Sequence, residues 1–226
     1  SREMHRKFFG DANQQSYGIL NGVPVEIFNP DVKSVKLEGS PRLVITASFR
    51  LHKRLQDAIE LINNIRKKLP GITLHVIGVM DNLTEELIQS LDLSSCIFHG
   101  HVDSSRLPSI YAGCDLGLSP SLFDPCPNSV VEMVACGLPV LTTSASGAAE
   151  IIKNPELIIT EDLDFDFMEL QTAEAIPVID IPAWSEAVVS ALDNRIKLSH
   201  SMLRRVEEEI DIKIVAERYA NAINGH

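Results

Sequence analysis

Between Pro125 and Ala149 the chain carries a single charged residue, Glu132, inside the apolar run VVEMVAC. An unpaired buried carboxylate is costly enough that such groups are paired, hydrogen-bonded or set against a ligand. Glu132 therefore needs a partner. Just upstream, the sequence PCPNS reads as the start of a helix that follows a strand. Proline is tolerated in a first turn, and Asn128 and Ser129 can cap or donate. Free backbone N–H groups and the helix dipole favour negative charge at such a terminus, so a phosphate or a sugar hydroxyl suits the loop formed by Cys126, Pro127, Asn128 and Ser129. Asp124 precedes it. Far upstream, Arg50 and Lys53 lie where the chain leaves a strand, a fork and a point charge that together fit a diphosphate.

Other chemistries fit these residues less well. A glycoside hydrolase needs two carboxyl groups about 5 to 9.5 Å apart. Eight helical residues would hold Asp124 and Glu132 about 12 Å apart, although the prolines put Asp124 in a loop. His99 and His101 have the residue type for zinc, but H-x-H at a strand end lacks the usual four-ligand spacing, so no metal site is expected. Neither a Walker A sequence nor GxGxxG is present, which leaves kinases and nicotinamide enzymes unsupported.

The elements that must hold these residues alternate. RLVITAS, ITLHVIG, SCIFHG, CDLGLSPS, LPVLTT and ELIIT read as buried strands. Helices are expected over Lys53 to Leu69, Thr84 to Leu91 with Thr84 as its cap, Ser104 to Ala112, from Pro127 onward, and from Gly147. This alternation predicts a parallel sheet with helices on both faces. Ligands of such sheets bind beyond the carboxyl ends of the strands, where strand order reverses. The polar loops Ser48 to Arg54, Gly100 to Asp103, Ser119 to Ser129 and Thr142 to Gly147 all follow strand ends and should converge on one rim.

Three regions are expected. Residues 1–40 form a connector with a short N-terminal helix and a turn at Asn21-Gly22 after the strand-like YGIL. Residues 41–182 form the core, and residues 183–226 the C-terminal helices. Beyond Thr160 the acidic EDLDFDFMEL and the proline-marked AIPVIDIPAW read as a variable segment. The opening SREMHRKFF, without an initiator Met, suggests an excised fragment.

Composition narrows the partners. With 31 acids against 20 bases the net charge is -11, and the basic residues do not cluster, which disfavours nucleic acid. No run approaches the roughly twenty apolar residues of a membrane span. The four cysteines form no CxxC pair and three of them lie beside apolar runs, as reduced thiols in a cytoplasmic protein would.

The order SFRLHKRLQDAIEL, HVIG, then FHGHVDSSRLPSIYAGCDLGLSPSLFDPCPNSVVEMVACGLPVLTTSASGAAEII resembles the donor-binding half of the retaining GT-B glycosyltransferases of the large family numbered four. The likeness runs from about Tyr17 to Ile159. It rests most on an acidic residue, seven intervening residues and a glutamate, followed by ACG-hydrophobic-P-V, here Asp124, Glu132 and Ala135 to Val140. The resemblance implies one Rossmann-like lobe of a GT-B fold. It implies that Glu132 binds the ribose hydroxyls of a nucleotide sugar and that Asp124, where the family has glutamate, faces the transferred sugar as the catalytic carboxylate. Cys126, Pro127, Asn128 and Ser129 would touch the sugar and distal phosphate, Arg50 and Lys53 the diphosphate, and His101 and Val102 the base. The first cation follows Ala47-Ser48-Phe49 rather than the family's usual glycine.

The implied activity is retaining transfer of a sugar from a UDP-, GDP- or ADP-linked donor, without metal or other cofactor. The acceptor, a glycan, lipid or small molecule, would be held by an N-terminal lobe that this chain lacks, leaving the fragment poorly active. The rival expectation is a non-catalytic nucleotide-sugar-binding or protein-interaction domain of the same fold.

Overall fold

The computed structural model describes residues 18–161 and 176–223. The expected N-terminal helix and most of the acidic segment lie outside them. Six strands form one parallel sheet: β1 (Arg42–Thr46), β2 (Thr73–Ile77), β3 (Cys96–Gly100), β4 (Leu116–Ser119), β5 (Val140–Thr143) and β6 (Ile158–Ile159), in the order β3-β2-β1-β4-β5-β6. Strand order therefore reverses between β1 and β4. That is the switch point at which a ligand site is expected.

The strands are short apolar runs because both faces are covered. Leu43, Val44, Leu74, Leu116, Val140 and Leu141 are fully buried. The helices that cover them are α1 (Leu55–Ile65), α2 (Asn82–Ile88), α3 (Leu107–Tyr111), α4 (Asn128–Ala135), α5 (Ala148–Ile152), α6 (Ile181–Asp193), α7 (Arg195–Arg205) and α8 (Ile212–Ile223). In α1 the expected stripe is present: Leu55, Ala58, Ile59, Ile62 and Ile65 face the core. α6 docks on α1 and brings the fully buried Trp184.

Several local expectations are corrected. The helix read from Lys53 begins at Leu55, because Leu51–Lys53 forms a 3-10 turn closed by Arg54 in the left-handed region, φ 53°. Asp81, not Thr84, caps α2: its carboxylate accepts the Thr84 amide at 2.9 Å. The described part of YGIL forms no strand. Gly22 is not there for a turn. A Cβ on Gly22 would lie 2.8 Å from the Ile212 Cα, so glycine lets the connector press against the start of α8. The contact is sealed by Val23 N donating to Ile210 O and Ile212 N donating to Val23 O, both at 3.0 Å.

On the β3 side, Glu38 O meets His75 Nε2 at 3.1 Å, and His75 Nδ1 meets His99 Nε2 at 3.0 Å. With the first ring donating to the carbonyl, its Nδ1 accepts from His99. Burial lowers both imidazole pKa values, which keeps the pair neutral and the relay intact. His99 is thus a structural link between β2 and β3.

Candidate functional site

The loop after β1 meets the loop after β4 at the switch point. Lys53 Nζ pairs with Asp124 Oδ2 across a sequence gap of 71 residues, and both side chains are largely buried. Together with Thr46, Ser119, Ser121 and Ser129 they line a small pocket at the carboxyl ends of β1 and β4. Pro127, the residue preceding α4, is also part of its wall.

The start of α4 has the character of an anion site. Asp81 and Asp180 cap α2 and α6 with their carboxylates, whereas α4 begins after Pro127 with no side-chain cap. The first amides of a helix have no intrahelical acceptor, and none of the described residues supplies one to Asn128 N or Ser129 N. Both amides are left at a terminus that favours negative charge, with the Lys53 ammonium across the same pocket.

The connector holds the opposite flank of this loop. Asn21 Nδ2 donates to Asn128 Oδ1 at 2.7 Å and to Cys126 O at 3.3 Å, and Asn21 N donates to Cys126 Sγ at 3.3 Å. Cys126 is half-buried, and burial pushes its thiol pKa up, so it stays protonated at neutral pH. The loop after β5 supports the third side. Gly147 N donates to Asp124 O at 2.8 Å, and a Cβ on Gly147 would lie 1.9 Å from Pro125 O. Gly147→Ala is therefore expected to cost about 1 to 3 kcal/mol through overpacking and to dislodge Asp124. Urea unfolding measures the loss, and an unchanged midpoint would contradict this close approach.

Glu132 lies one turn into α4. Its partner is the Tyr111 hydroxyl, 3.4 Å from Oε2. Burial raises the Glu132 pKa and this hydrogen bond opposes the rise. Of the other expected residues, Arg50 is exposed beside the 3-10 turn, and His101 is exposed just past the end of β3, with half-buried Val102 packed on the core. These three do not line the switch-point pocket. They sit along the same carboxyl-end rim.

Two further participants have no individual signal in the sequence. Tyr111 is one. The other is Arg54, completely buried beneath the rim, whose Nη1 donates to Glu161 Oε2 at 2.8 Å and Oε1 at 3.1 Å and approaches Pro120 O at 3.4 Å. Thr143 Oγ1 donates to the same carboxylate at 2.9 Å. The network ties the segments that follow β1, β4 and β6 to the end of β5.

A switch-point pocket with a paired cation and an uncapped helix start is a fold-level pattern, and comparison with known proteins gives it a family. The family model described as glycosyl transferases group 1 matches residues 28–205. The chain belongs to this family. A glycogen synthase from Clostridium beijerinckii is 25% identical over 213 residues, covering 80% of this chain and 44% of its own length. The chain spans less than half the length of the curated relatives it matches. Among solved structures, sucrose-phosphate synthase from Thermosynechococcus elongatus superposes with a TM-score of 0.74 at 19% identity, over 99% of this chain and 56% of that one. The pneumococcal O-GlcNAc transferase GtfA, solved with UDP and GlcNAc, gives 0.69 at 14% identity, over 99% and 42%. The Rossmann-like sheet is that of a GT-B glycosyltransferase lobe.

Proposed function

We propose that this chain is the donor-binding lobe of a retaining glycosyltransferase, which takes a nucleotide diphosphate sugar and works with an N-terminal lobe that holds the acceptor. The observation that carries the reading is the uncapped start of α4 facing Lys53 across the switch-point pocket. The diphosphate lies against the Asn128 and Ser129 amides and shares Lys53 with Asp124. Arg50, on the exposed side of the same turn, closes on the outer phosphate.

As the bond between the anomeric carbon and the phosphate oxygen breaks, negative charge grows on the leaving diphosphate. Lys53 and the start of α4 are oriented in advance to stabilise that charge. Asp124 faces the transferred sugar, Glu132 accepts the ribose hydroxyls, and His101 and Val102 flank the base. Charge stabilisation comes from protein groups throughout, without a metal. The relative solved with UDP makes a uridine donor the first to try.

Titration calorimetry with UDP-, GDP- and ADP-glucose is expected to find one donor that binds, with Glu132→Ala weakening it about tenfold to a hundredfold, the worth of one or two charged hydrogen bonds. Binding that ignores the substitution removes Glu132 from the ribose. Failure of all three donors would favour a non-catalytic interaction domain.

A further inference from the structure

The carboxylate of Glu132 is answered by a phenol and not by a cation. Among the described residues it makes no ion pair, and the titratable groups that face it are Tyr111, at the end of α3, and Cys136, just past the end of α4. The sheet strands, the helices α5 and α7 and the turn Val206–Ile210 with Glu207, Glu208 and Glu209, which also pack on α4, bring no charge to bear on it. Tyr111 is completely buried. Burial and the adjacent carboxylate both raise its pKa, so the phenol keeps its proton and remains a donor across the working pH range.

We propose that Tyr111 is a positioning residue of the donor site: its hydroxyl, 3.4 Å from Glu132 Oε2, fixes the carboxylate so that the remaining acceptor positions serve the two ribose hydroxyls. This rests on the donor-binding reading above. An ionised carboxylate is acceptor-only and can take both hydroxyls, whereas the protonated form has lost part of that capacity. The phenol favours the ionised form, because a hydrogen bond to the charged state lowers a carboxyl pKa against the rise caused by burial. Tyr111 thereby sets both the direction of the carboxylate and the pH at which it can work.

The test uses Tyr111→Phe, which keeps the buried ring and deletes the donor. Two readouts are needed: the Glu132 side-chain carboxyl resonance followed by NMR against pH in donor-free protein, and the affinity for UDP-, GDP- and ADP-glucose by calorimetry from pH 5 to 8. In the variant the Glu132 midpoint is expected to move to higher pH. The acid limb of donor binding should follow it, and affinity at pH 7 should fall about tenfold. In a Glu132→Gln background the added Tyr111→Phe change should leave no pH limb to move, which separates positioning from a general loosening of the core. A Glu132 midpoint that stays put while the wild type binds donor overturns the Tyr111 role alone. A midpoint that moves without any change in donor affinity overturns the coupling to the ribose. Wild-type protein that binds none of the three donors overturns the donor reading, and this inference with it.

Discussion

Arg54→Met is expected to lower folding stability by about 3 to 5 kcal/mol, the cost of leaving a buried charge without its partner. Arg54 is 0% exposed and Glu161 has 9% of its side chain accessible, so water cannot substitute for the lost guanidinium. Methionine can occupy the same space, and the left-handed backbone at this position, φ 53°, burdens arginine and methionine alike, so the loss reports on charge. The pair is not an optimal one. Among the described residues Arg54 Nε and Nη2 have no acceptor, and desolvation of poorly satisfied ions often outweighs their attraction. The double variant Arg54→Met, Glu161→Gln should therefore recover at least half of the loss, since glutamine keeps an oxygen for the Thr143 hydroxyl while removing the stranded charge. Urea denaturation of the two single variants and the double gives the coupling directly. Additive losses would mean that the pair acts through packing alone. The functional consequence is local: Arg54 touches the Pro120 carbonyl beside the switch-point pocket, so the single variant should also loosen the loop that carries Asp124.

This network explains what could and could not be read from the sequence. The alternation of strands and helices, the convergence of four polar loops and the need of Glu132 for a partner all follow from periodicity and from the energetics of burial. They hold because neighbouring residues decide them. The identity of the partner does not follow. Tyr111 lies 21 residues from Glu132, and the two meet through the packing of α3 on α4. Lys53 and Asp124 each stand out as chemistry, yet their pairing depends on β1 and β4 being neighbours, which strand order alone decides. Lys53 and Arg54 are adjacent cations in the sequence. The turn at Leu51–Lys53 sends the first to the pocket and the second beneath the rim, a difference of one residue that composition cannot express. Asn21-Gly22 has the composition of a turn and acts instead as a dock, Gly22 against α8 and Asn21 against Cys126 and Asn128.

The second large effect belongs to Asp57, in the first turn of α1 and 2% exposed. Burial pushes its carboxyl up to about 6 from 3.8, against the opposing pull of the Ile179 amide, which donates to Oδ2 at 3.1 Å, and of the Arg54 charge. A carboxyl whose folded pKa is raised binds its proton more tightly in the native state. Its stabilising contribution is complete below about pH 4 and is lost as pH rises through about 6. A difference of about 2 pK units corresponds to about 3 kcal/mol. Asp57→Asn keeps an oxygen to accept from Ile179 N and removes the ionisation. It should therefore gain up to about 3 kcal/mol over wild type at pH 8, roughly half of that near pH 5, and only about 0.5 kcal/mol at pH 4. Urea unfolding at the three pH values measures this, and a gain that did not vary with pH would exclude ionisation of Asp57 as its cause. The same substitution in the Arg54→Met background should gain more, because Arg54 is the charge that holds the Asp57 pKa down. Asp57 and the buried Arg54–Glu161 pair are thus coupled through one helix turn: the Ile179 amide and the Arg54 charge both favour the ionised carboxylate, and acid removes the buried charge at the expense of that pull.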